Sequence, residues 1–313
     1  MKATNPISDK TAISGVIRKI LVPVDYSECS KFACRYAIKI ACKVGAEIKF
    51  FHTYYSPAFD LIELAGAVQT QTQLREEVTT NLEESEKATI ESFIQQMKDY
   101  VAECGLNAVM FSYDIAPGVP EDEIIQFSKE YEPDLVVMGT HGKGTGVGSI
   151  IGSVTAAVIN RISFPIIAVP EKYIFIGEKN VKNVLYVTDF DESDFLSLKK
   201  LMNITEQLEL DIHCVHIGEN PKEWDQVKMD GLMGYFSKAY GKTQVTYSFI
   251  NQKNLLENLD NLVREKNINI VSLTSYRRNI IEKLFKPNLP KKLFYHSSIP
   301  LLVFHSQDLT KPQ

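Results

Sequence analysis

The stretch Leu135-Val-Val-Met-Gly139-Thr-His-Gly142-Lys-Gly-Thr-Gly-Val-Gly-Ser-Ile-Ile-Gly152-Ser153 joins an apolar run to a glycine-rich loop. A helical pattern, Val154 to Ile159, follows it. Glycine lets the backbone approach an anion closely, and the free N–H groups at a helix N-terminus point toward negative charge. The stretch therefore predicts an α/β fold with a site for a phosphate-bearing ligand.

Two common phosphate-binding loops do not fit this stretch. A Walker A loop needs Ser or Thr directly after its lysine, but Lys143 is followed by Gly144. The run Gly146–Gly152 resembles a dinucleotide fingerprint with one extra residue, yet such a fingerprint follows the first strand of its domain. Here the loop follows the fourth apolar run, so neither a P-loop NTPase nor a Rossmann dehydrogenase is favoured.

Composition limits the class of protein. The chain has 313 residues, 44% hydrophobic and 23% charged, which is typical of a globular protein of about two domains. A net charge of −5 argues against nucleic acid or an anionic membrane as partner. We expect a cytoplasmic protein, because the first ten residues lack the apolar segment of a signal peptide and the five cysteines contain no CxxC pair.

Four pairs of similar segments indicate an internal repeat. Two pairs are offset by 164 positions, Ile20–Tyr26 with Val184–Phe190 and Glu47–His52 with Asp211–His216. Two more are offset by 135, Asp134–Met138 with Asn269–Leu273 and Phe164–Val169 with Ile299–Phe304. The second copy is therefore 29 residues shorter, and we place the extra residues of the first copy within 54–104.

Each copy alternates five apolar runs with amphipathic helices, a pattern typical of a parallel sheet covered on both faces. In the first copy the strands are predicted near 18–24, 47–53, 108–114, 134–139 and 165–169. The predicted fold is α/β, with two tandem doubly wound five-stranded parallel sheets, Rossmann-like, in strand order 3-2-1-4-5. The predicted domains are 16–171 and 181–306, and they pair through their terminal strands as a pseudo-dimer.

Two chemically suggestive features meet in such a fold. A doubly wound sheet binds ligands beyond the carboxyl ends of its strands, where the strand order reverses. Asp25 ends the first strand of the first copy and Gly139 begins the loop after the fourth, so both lie at that crevice. A carboxylate suits a ribose hydroxyl or an adenine amino group, and the glycine loop suits phosphates. The first copy therefore predicts a nucleotide site.

The spacing of the loop resembles that of a known family. Gly139, Gly142, Gly152 and Ser153 fit the motif Gly-x2-Gly-x9-Gly-(Ser/Thr) of the ATP-binding universal stress proteins, and Asp25 lies after the first strand as in that family. The resemblance covers nearly the whole chain as a tandem pair. It implies a cytosolic stress-response module that binds ATP, with or without Mg²⁺, and hydrolyses it slowly at most.

The resemblance also implies roles for individual residues, none of them catalytic and none a metal ligand. Pro23, Val24 and Asp25 line the adenosine pocket, and Thr53 and Met138 border the base. Gly139, His141 and Gly142 surround the ribose and phosphates. Gly152, Ser153, Val154 and Thr155 supply N–H and hydroxyl donors to the phosphates.

The second copy departs from this motif. At the offset of 135, Thr274, Arg277, Pro287 and Asn288 replace Gly139, Gly142, Gly152 and Ser153. Proline lacks an N–H, and larger side chains block the close approach of the backbone. We expect one ATP site per chain, with the second half as a built-in partner. The alternative is a different anion on the second half, bound by Arg277, Arg278 and Lys283.

Several alternative interpretations stay open from sequence alone. Asp25 is also a candidate cap of the first helix, Lys143 a solvated loop residue, and His141 a residue that only stabilises its loop. His213 and His216 point to opposite faces of a strand, which disfavours a shared metal ion. The rival functions are an ATP pyrophosphatase or nucleotidyl transferase, and a scaffold without ligand. A homodimer is an open alternative to a monomer.

Overall fold

The computed structural model describes ten strands and seven helices within residues 16–56, 72–142, 151–171, 182–188, 192–218, 223–240, 244–251, 253, 255–274 and 299–304. The strands are β1 Lys19–Val24, β2 Glu47–Tyr54, β3 Phe111–Pro117, β4 Leu135–Gly139, β5 Ile166–Val169, β6 Asn183–Thr188, β7 Asp211–Gly218, β8 Val245–Asn251, β9 Ile268–Thr274 and β10 Leu301–Phe304. The helices are α1 Glu28–Val44, α2 Thr72–Glu103, α3 Pro120–Tyr131, α4 Ser153–Arg161, α5 Glu192–Leu208, α6 Glu223–Ala239 and α7 Leu255–Glu265.

All ten strands form one sheet, in the order β3-β2-β1-β4-β5-β10-β9-β6-β7-β8. Neighbouring strands are parallel except β5 and β10, which are antiparallel. The first five strands have the predicted order 3-2-1-4-5. The last five have the same order when they are counted from the opposite edge of the sheet. The predicted α/β class is confirmed, and the two predicted sheets are joined edge to edge into one.

The terminal strands form the junction between the two halves of the sheet. Leu302 lies opposite Ile167 in the antiparallel pair of β5 and β10, and both side chains are buried. This pairing confirms the predicted association of the terminal strands within one chain. Side chains on either side of the junction add contacts, since the Lys43 ammonium donates to the Leu208 carbonyl at 2.7 Å and the Ile17 N–H to the Gln207 amide oxygen at 3.0 Å.

Burial on both faces of the sheet explains why its inner strands are mostly apolar. In β1 every residue after Lys19 is buried, and all of β4 and β9 is buried. One continuous hydrophobic cluster extends from Tyr36 and Phe50 in the first half to Tyr186 and Phe236 in the second. Because this cluster crosses the junction, we infer that the two halves share a hydrophobic core across the β5–β10 pair.

The third strand lies three residues later than predicted, at Phe111–Pro117 rather than 108–114. Helix α2 ends at Glu103, Gly105 takes a left-handed φ of 60°, and the following residues return the chain to the sheet. Met110 is still in that connection, with its side chain 71% exposed, although its carbonyl accepts a hydrogen bond from the Ile48 N–H at 2.9 Å. Apolar residues in the connection therefore shifted the predicted boundary toward the N-terminus.

Strands of the two halves lie at the offsets found in the sequence. β6 and β7 begin and end 164 positions after β1 and β2, and β10 begins and ends 135 positions after β5. Helix α2 has 32 residues whereas α6, at the same place in the second half, has 17. Much of the extra length of the first half is therefore in its second helix.

The surroundings of His213 on β7 predict that the stability of the protein depends on pH. Its Nδ1 lies 2.6 Å from the Thr246 hydroxyl and its Nε2 2.8 Å from the Ser248 hydroxyl. Burial, with a smaller effect of Lys266, lowers the His213 pKa from 6.5 to about 4. The unfolded chain therefore binds a proton that the folded chain does not, so stability is full above the unfolded pKa and is lost as the pH falls toward the folded pKa.

We expect acidification to destabilise the native protein more than a His213→Gln variant. From about pH 7 to about pH 5 the native protein should lose about 2 kcal/mol more unfolding free energy than the variant does. This value follows from the difference between the His213 pKa in the unfolded and the folded chain. Urea denaturation of both proteins at several pH values measures it, and other titrating groups cancel in the difference. Parallel stability curves for the two proteins would show that His213 is not the group responsible.

Candidate functional site

A cavity of about 260 Å³ lies beyond the carboxyl ends of β1 and β4, where the strand order reverses. Among its lining residues are all twelve predicted to contact the ligand: Pro23, Val24, Asp25, Thr53, Met138, Gly139, His141, Gly142, Gly152, Ser153, Val154 and Thr155. Thr53 is the last residue but one of β2, and Gly139 is the last residue of β4. Segments that are distant in sequence thus converge on one cavity.

Asp25 forms the β1 side of the cavity through its two carboxylate oxygens. Its Oδ1 accepts hydrogen bonds from the Ser27 N–H at 3.0 Å and from the Ser27 hydroxyl at 2.6 Å. The N-cap of α1 is Ser27, whose hydroxyl accepts from the Ser30 N–H at 3.1 Å. The structural alternative for Asp25 is therefore corrected: Asp25 supports the capping residue and is not itself the cap.

The second carboxylate oxygen of Asp25 faces the glycine loop. A Cβ added to Gly142 would lie 2.7 Å from Asp25 Oδ2, closer than atoms can approach without a shift. Any side chain at position 142 therefore displaces the carboxylate or the loop. The end of β1 and the glycine loop therefore lie directly against each other, as predicted, and a side chain at position 142 would push the Asp25 carboxylate aside.

Gly139 is required for a different contact. A Cβ at this position would lie 3.0 Å from both the carbonyl carbon and the carbonyl oxygen of Cys29, and 2.9 Å from its Sγ. Because two of these three atoms belong to the backbone, the clash is not relieved by a side-chain rotation. Glycine at position 139 lets the N-terminal turn of α1 pack directly against the end of β4.

The N-terminus of α4 forms the opposite side of the cavity. Gly152 is the N-cap and has no side chain to accept a hydrogen bond from the first turn. The Thr155 hydroxyl donates to the Gly139 carbonyl at 2.9 Å, and the Gly152 N–H donates to the Thr140 carbonyl at 2.7 Å. These bonds tie the helix start to the end of β4. A helix start without a side-chain cap can accept an anion as its cap.

Four lining residues were not predicted from the sequence: Ser30, Phe51, Pro120 and Ile124. The Phe51 ring stacks on Phe127 at a centroid distance of 4.3 Å, which fixes the apolar wall formed by β2 and α3. Pro120 and Ile124 complete this wall from the first turns of α3. The wall suits an apolar, planar group, whereas the α4 side suits an anion.

A thiol lies directly behind the glycine loop. Cys29 Sγ is 3.7 Å from the Thr140 hydroxyl and donates to the Val169 carbonyl at 3.5 Å. Burial alone would raise the pKa of the Cys29 thiol, but hydrogen bonds with His141 and Thr140 outweigh it and hold the pKa below its usual value. The Thr140 hydroxyl also lies 3.0 Å from His141 Nδ1. His141 thus has loop contacts in addition to its place on the cavity.

His52 holds the end of β1 from the neighbouring strand. Its Nδ1 lies 2.7 Å from the Val24 carbonyl, and its Nε2 lies 3.4 Å from a carboxylate oxygen of Glu86 on α2. In the second half His216 Nδ1 lies 3.0 Å from the Thr188 carbonyl, at the corresponding positions. This pair of contacts explains why a histidine occurs at the end of the second strand in both copies.

The end of β9 in the second half carries a side chain at the position where the first half has none. Thr274, which stands where the first half has Gly139, is fully buried, and its hydroxyl lies 3.3 Å from the Tyr186 hydroxyl. Other residues named in the sequence analysis lie outside the described residues, namely Lys143, Arg277, Arg278, Lys283, Pro287 and Asn288. The comparison between the halves therefore depends on Thr274.

The described residues hold neither a cluster of metal ligands nor a helix that could span a membrane. There, no three His, Cys, Asp or Glu side chains are grouped as metal ligands. His213 is buried against the hydroxyls of β8, while His216 binds the end of β6, so the two histidines have separate partners. No helix in the described part of the chain has the length and apolar character needed to cross a membrane.

Comparison with known proteins agrees with this doubly wound fold. The model of the universal stress protein family matches residues 17–170. The universal stress protein MJ0531 of Methanocaldococcus jannaschii is 31% identical over 153 residues, which are 49% of this chain and 81% of that protein. The universal stress protein MJ0577 of the same organism is 25% identical over 169 residues, 51% of this chain and 99% of that protein.

A solved structure extends the likeness of the fold to the second half. The crystal structure of a universal stress protein from Archaeoglobus fulgidus superposes with a TM-score of 0.62 and covers 92% of this chain and 96% of its own, at 18% identity. The molecule is thus an α/β protein with a cavity at the switch point of its first half. The chain belongs to the universal stress protein family.

Proposed function

We propose that this protein binds ATP in the cavity of its first half and acts as a regulatory binding module. The observation that carries the proposal is the contact between Asp25 and Gly142. It lies in the same cavity as the N-terminus of α4, which has no side-chain cap. A carboxylate acceptor on one side and an anion site on the other match the two ends of an adenine nucleotide.

The walls of the cavity divide between the parts of the nucleotide. The apolar side, which includes Val24, Phe51 and Met138, suits the adenine ring. Asp25 Oδ2 suits the ribose hydroxyls or the adenine amino group, and the backbone of Gly142 and Gly152–Thr155 suits the phosphates. Mg²⁺ would accompany the phosphates as their counter-ion. The family resemblance supports the same assignment.

We further propose that the chain is a tandem of two family domains, 16–171 and 181–306, with one nucleotide site. In the second half buried Thr274 replaces Gly139, and a side chain at this position disfavours the close packing of helix start on strand end that Gly139 permits in the first half. The second half would then serve as the partner that completes the sheet. We place the protein in the cytoplasm, as expected from its cysteine content.

Regulation is favoured over catalysis by the composition of the cavity. Among the described residues that line the cavity, two have side chains of a type commonly used as a general base, Asp25 and His141. The Oδ1 of Asp25 already accepts a hydrogen bond from the Ser27 N–H. We therefore expect nucleotide hydrolysis to be slow compared with binding. An ATP pyrophosphatase or nucleotidyl transferase would release pyrophosphate or AMP at enzymatic rates of about 1 per second or faster.

An Asp25→Asn substitution tests the proposal. Asparagine keeps an oxygen for Ser27 but loses the negative charge, so ATP affinity should fall about tenfold, as expected for one charge-assisted hydrogen bond. The matched control is Asp114→Asn, which removes a carboxylate paired with Lys49 on β2. Calorimetric titration with ATP measures both variants, and phosphate release is followed in parallel. Equal affinity in the native protein and Asp25→Asn would refute the assigned contact.

A further inference from the structure

Helix α6 is apolar on two opposite sides. Met229 and Phe236 are buried in the core, whereas Trp224, Val227 and Tyr235 are 65%, 55% and 46% exposed. Spacings of three and four residues place Trp224, Val227, Gly231, Tyr235 and Lys238 along one stripe on the outer side of the helix, called the α6 stripe below. A helix with apolar residues on two opposite sides is usually packed between two parts of a protein or between two proteins.

The two glycines of this helix border open space. At Gly231 and Gly234 none of the described residues lies within 4 Å of the place where a Cβ would stand. Glycine in a helix interior costs about 1 kcal/mol relative to alanine. A glycine on the outer side of a helix allows the backbone of another helix to approach closely, as small residues do at helix–helix contacts. Gly231 therefore marks the middle of the stripe as a place of close approach.

The α6 stripe is complementary to itself about Gly231. In an antiparallel helix pair with a twofold axis at this residue, positions equally far before and after it face each other. Val227 of one copy then faces Tyr235 of the other, and the Trp224 ring faces the Lys238 ammonium, a favourable cation–π pair. Glu223, at the acidic end of the helix, lies near the same lysine of the second copy. The two helix dipoles are also antiparallel.

We propose that the α6 stripe is a dimer contact between two copies of this chain. It is separate from the β5–β10 junction, where the terminal strands pair within one chain. An anionic lipid surface is disfavoured by the net charge of −5. A pair of single helices buries less than the ~1,200 Å² of a standard interface, so we expect a dissociation constant on the order of micromolar.

Sedimentation equilibrium of the full chain over a range of concentrations tests the proposal. The native chain should dimerise, and Gly231→Lys should raise the dissociation constant by about tenfold or more, because it places bulk and charge on the axis. The same substitution should keep or raise the thermal midpoint, since lysine favours helix more than glycine does. A native chain that stays monomeric throughout, or a variant that dimerises equally well, would overturn the proposal.

A control variant tests the location of the dimer contact, and a cross-linking experiment tests the antiparallel register of the two α6 helices. Met110→Lys alters an apolar residue, 71% exposed, beside the opposite edge strand β3, and it should leave dimerisation unchanged. In a Cys104→Ser background, which removes the exposed native thiol, Gly231→Cys should form an intermolecular disulfide under mild oxidation. Lys228→Cys should not form this disulfide, because residues 228 of the two antiparallel helices are separated by about 9 Å along the helix axis. Cross-linking at 228 equal to that at 231 would contradict the register.

Discussion

Replacing Gly142 by valine is expected to lower the affinity for ATP by about a hundredfold or more, a loss of about 2.7 kcal/mol. A Cβ at this position would lie 2.7 Å from Asp25 Oδ2, so the valine displaces the carboxylate and the loop from each other. It also covers the backbone to which a phosphate would bind. One substitution thus disturbs both ends of the nucleotide site.

The cost in stability should be small, because the clashing atom is the end of a side chain. Gly234→Val is the matched control, since the same side chain there meets none of the described residues within 4 Å. Calorimetric titration gives the affinity of each variant, and thermal unfolding shows that each is folded. If Gly142→Val bound ATP like the native protein, the phosphates would have to lie elsewhere.

Replacing Leu302 by alanine is expected to lower the free energy of unfolding by about 3 kcal/mol, within the range for a fully buried leucine. Leu302 lies opposite Ile167 at the antiparallel junction, and both side chains are 1% exposed. The cavity would open at the centre of a core that both halves share. The substitution should therefore destabilise the whole sheet, not the second half alone.

Leu301→Ala is the control for this second prediction, because Leu301 is on the same strand but only partly buried. Urea denaturation followed by the fluorescence of Trp224, the single tryptophan, reports on the second half. Circular dichroism reports on both halves, and the two midpoints should shift together. Separate transitions, with the first half unaffected, would show that the junction does not couple the halves.

The segments that locate the strands could be found from the sequence because buried parallel strands are nearly all apolar. The two offsets, 164 and 135, identify which segment of the second half corresponds to each strand of the first, so one strand order could be predicted for both halves. The boundary of β3 was misplaced because Val109 and Met110 are apolar without being in the strand. Their surroundings, not their own chemistry, decide where pairing begins.

The glycine and acidic residues of the cavity could also be predicted, since a backbone that must approach a ligand excludes side chains. Phe51, Pro120 and Ile124 could not, because an apolar side chain on a strand or helix looks the same whether it lines a cavity or the core. The capping role of Ser27 was missed for a related reason. Asp25 and Ser27 are both good caps, and only the backbone conformation distinguishes them.

The number of ATP molecules bound per full chain tests the central claim most directly. Calorimetric titration of the native protein should give one site per chain, and Gly142→Val should remove it. Thr274, which replaces Gly139 at the end of β9, is the reason to expect one site rather than two. Two sites per chain, or one that persists in Gly142→Val, would contradict the account.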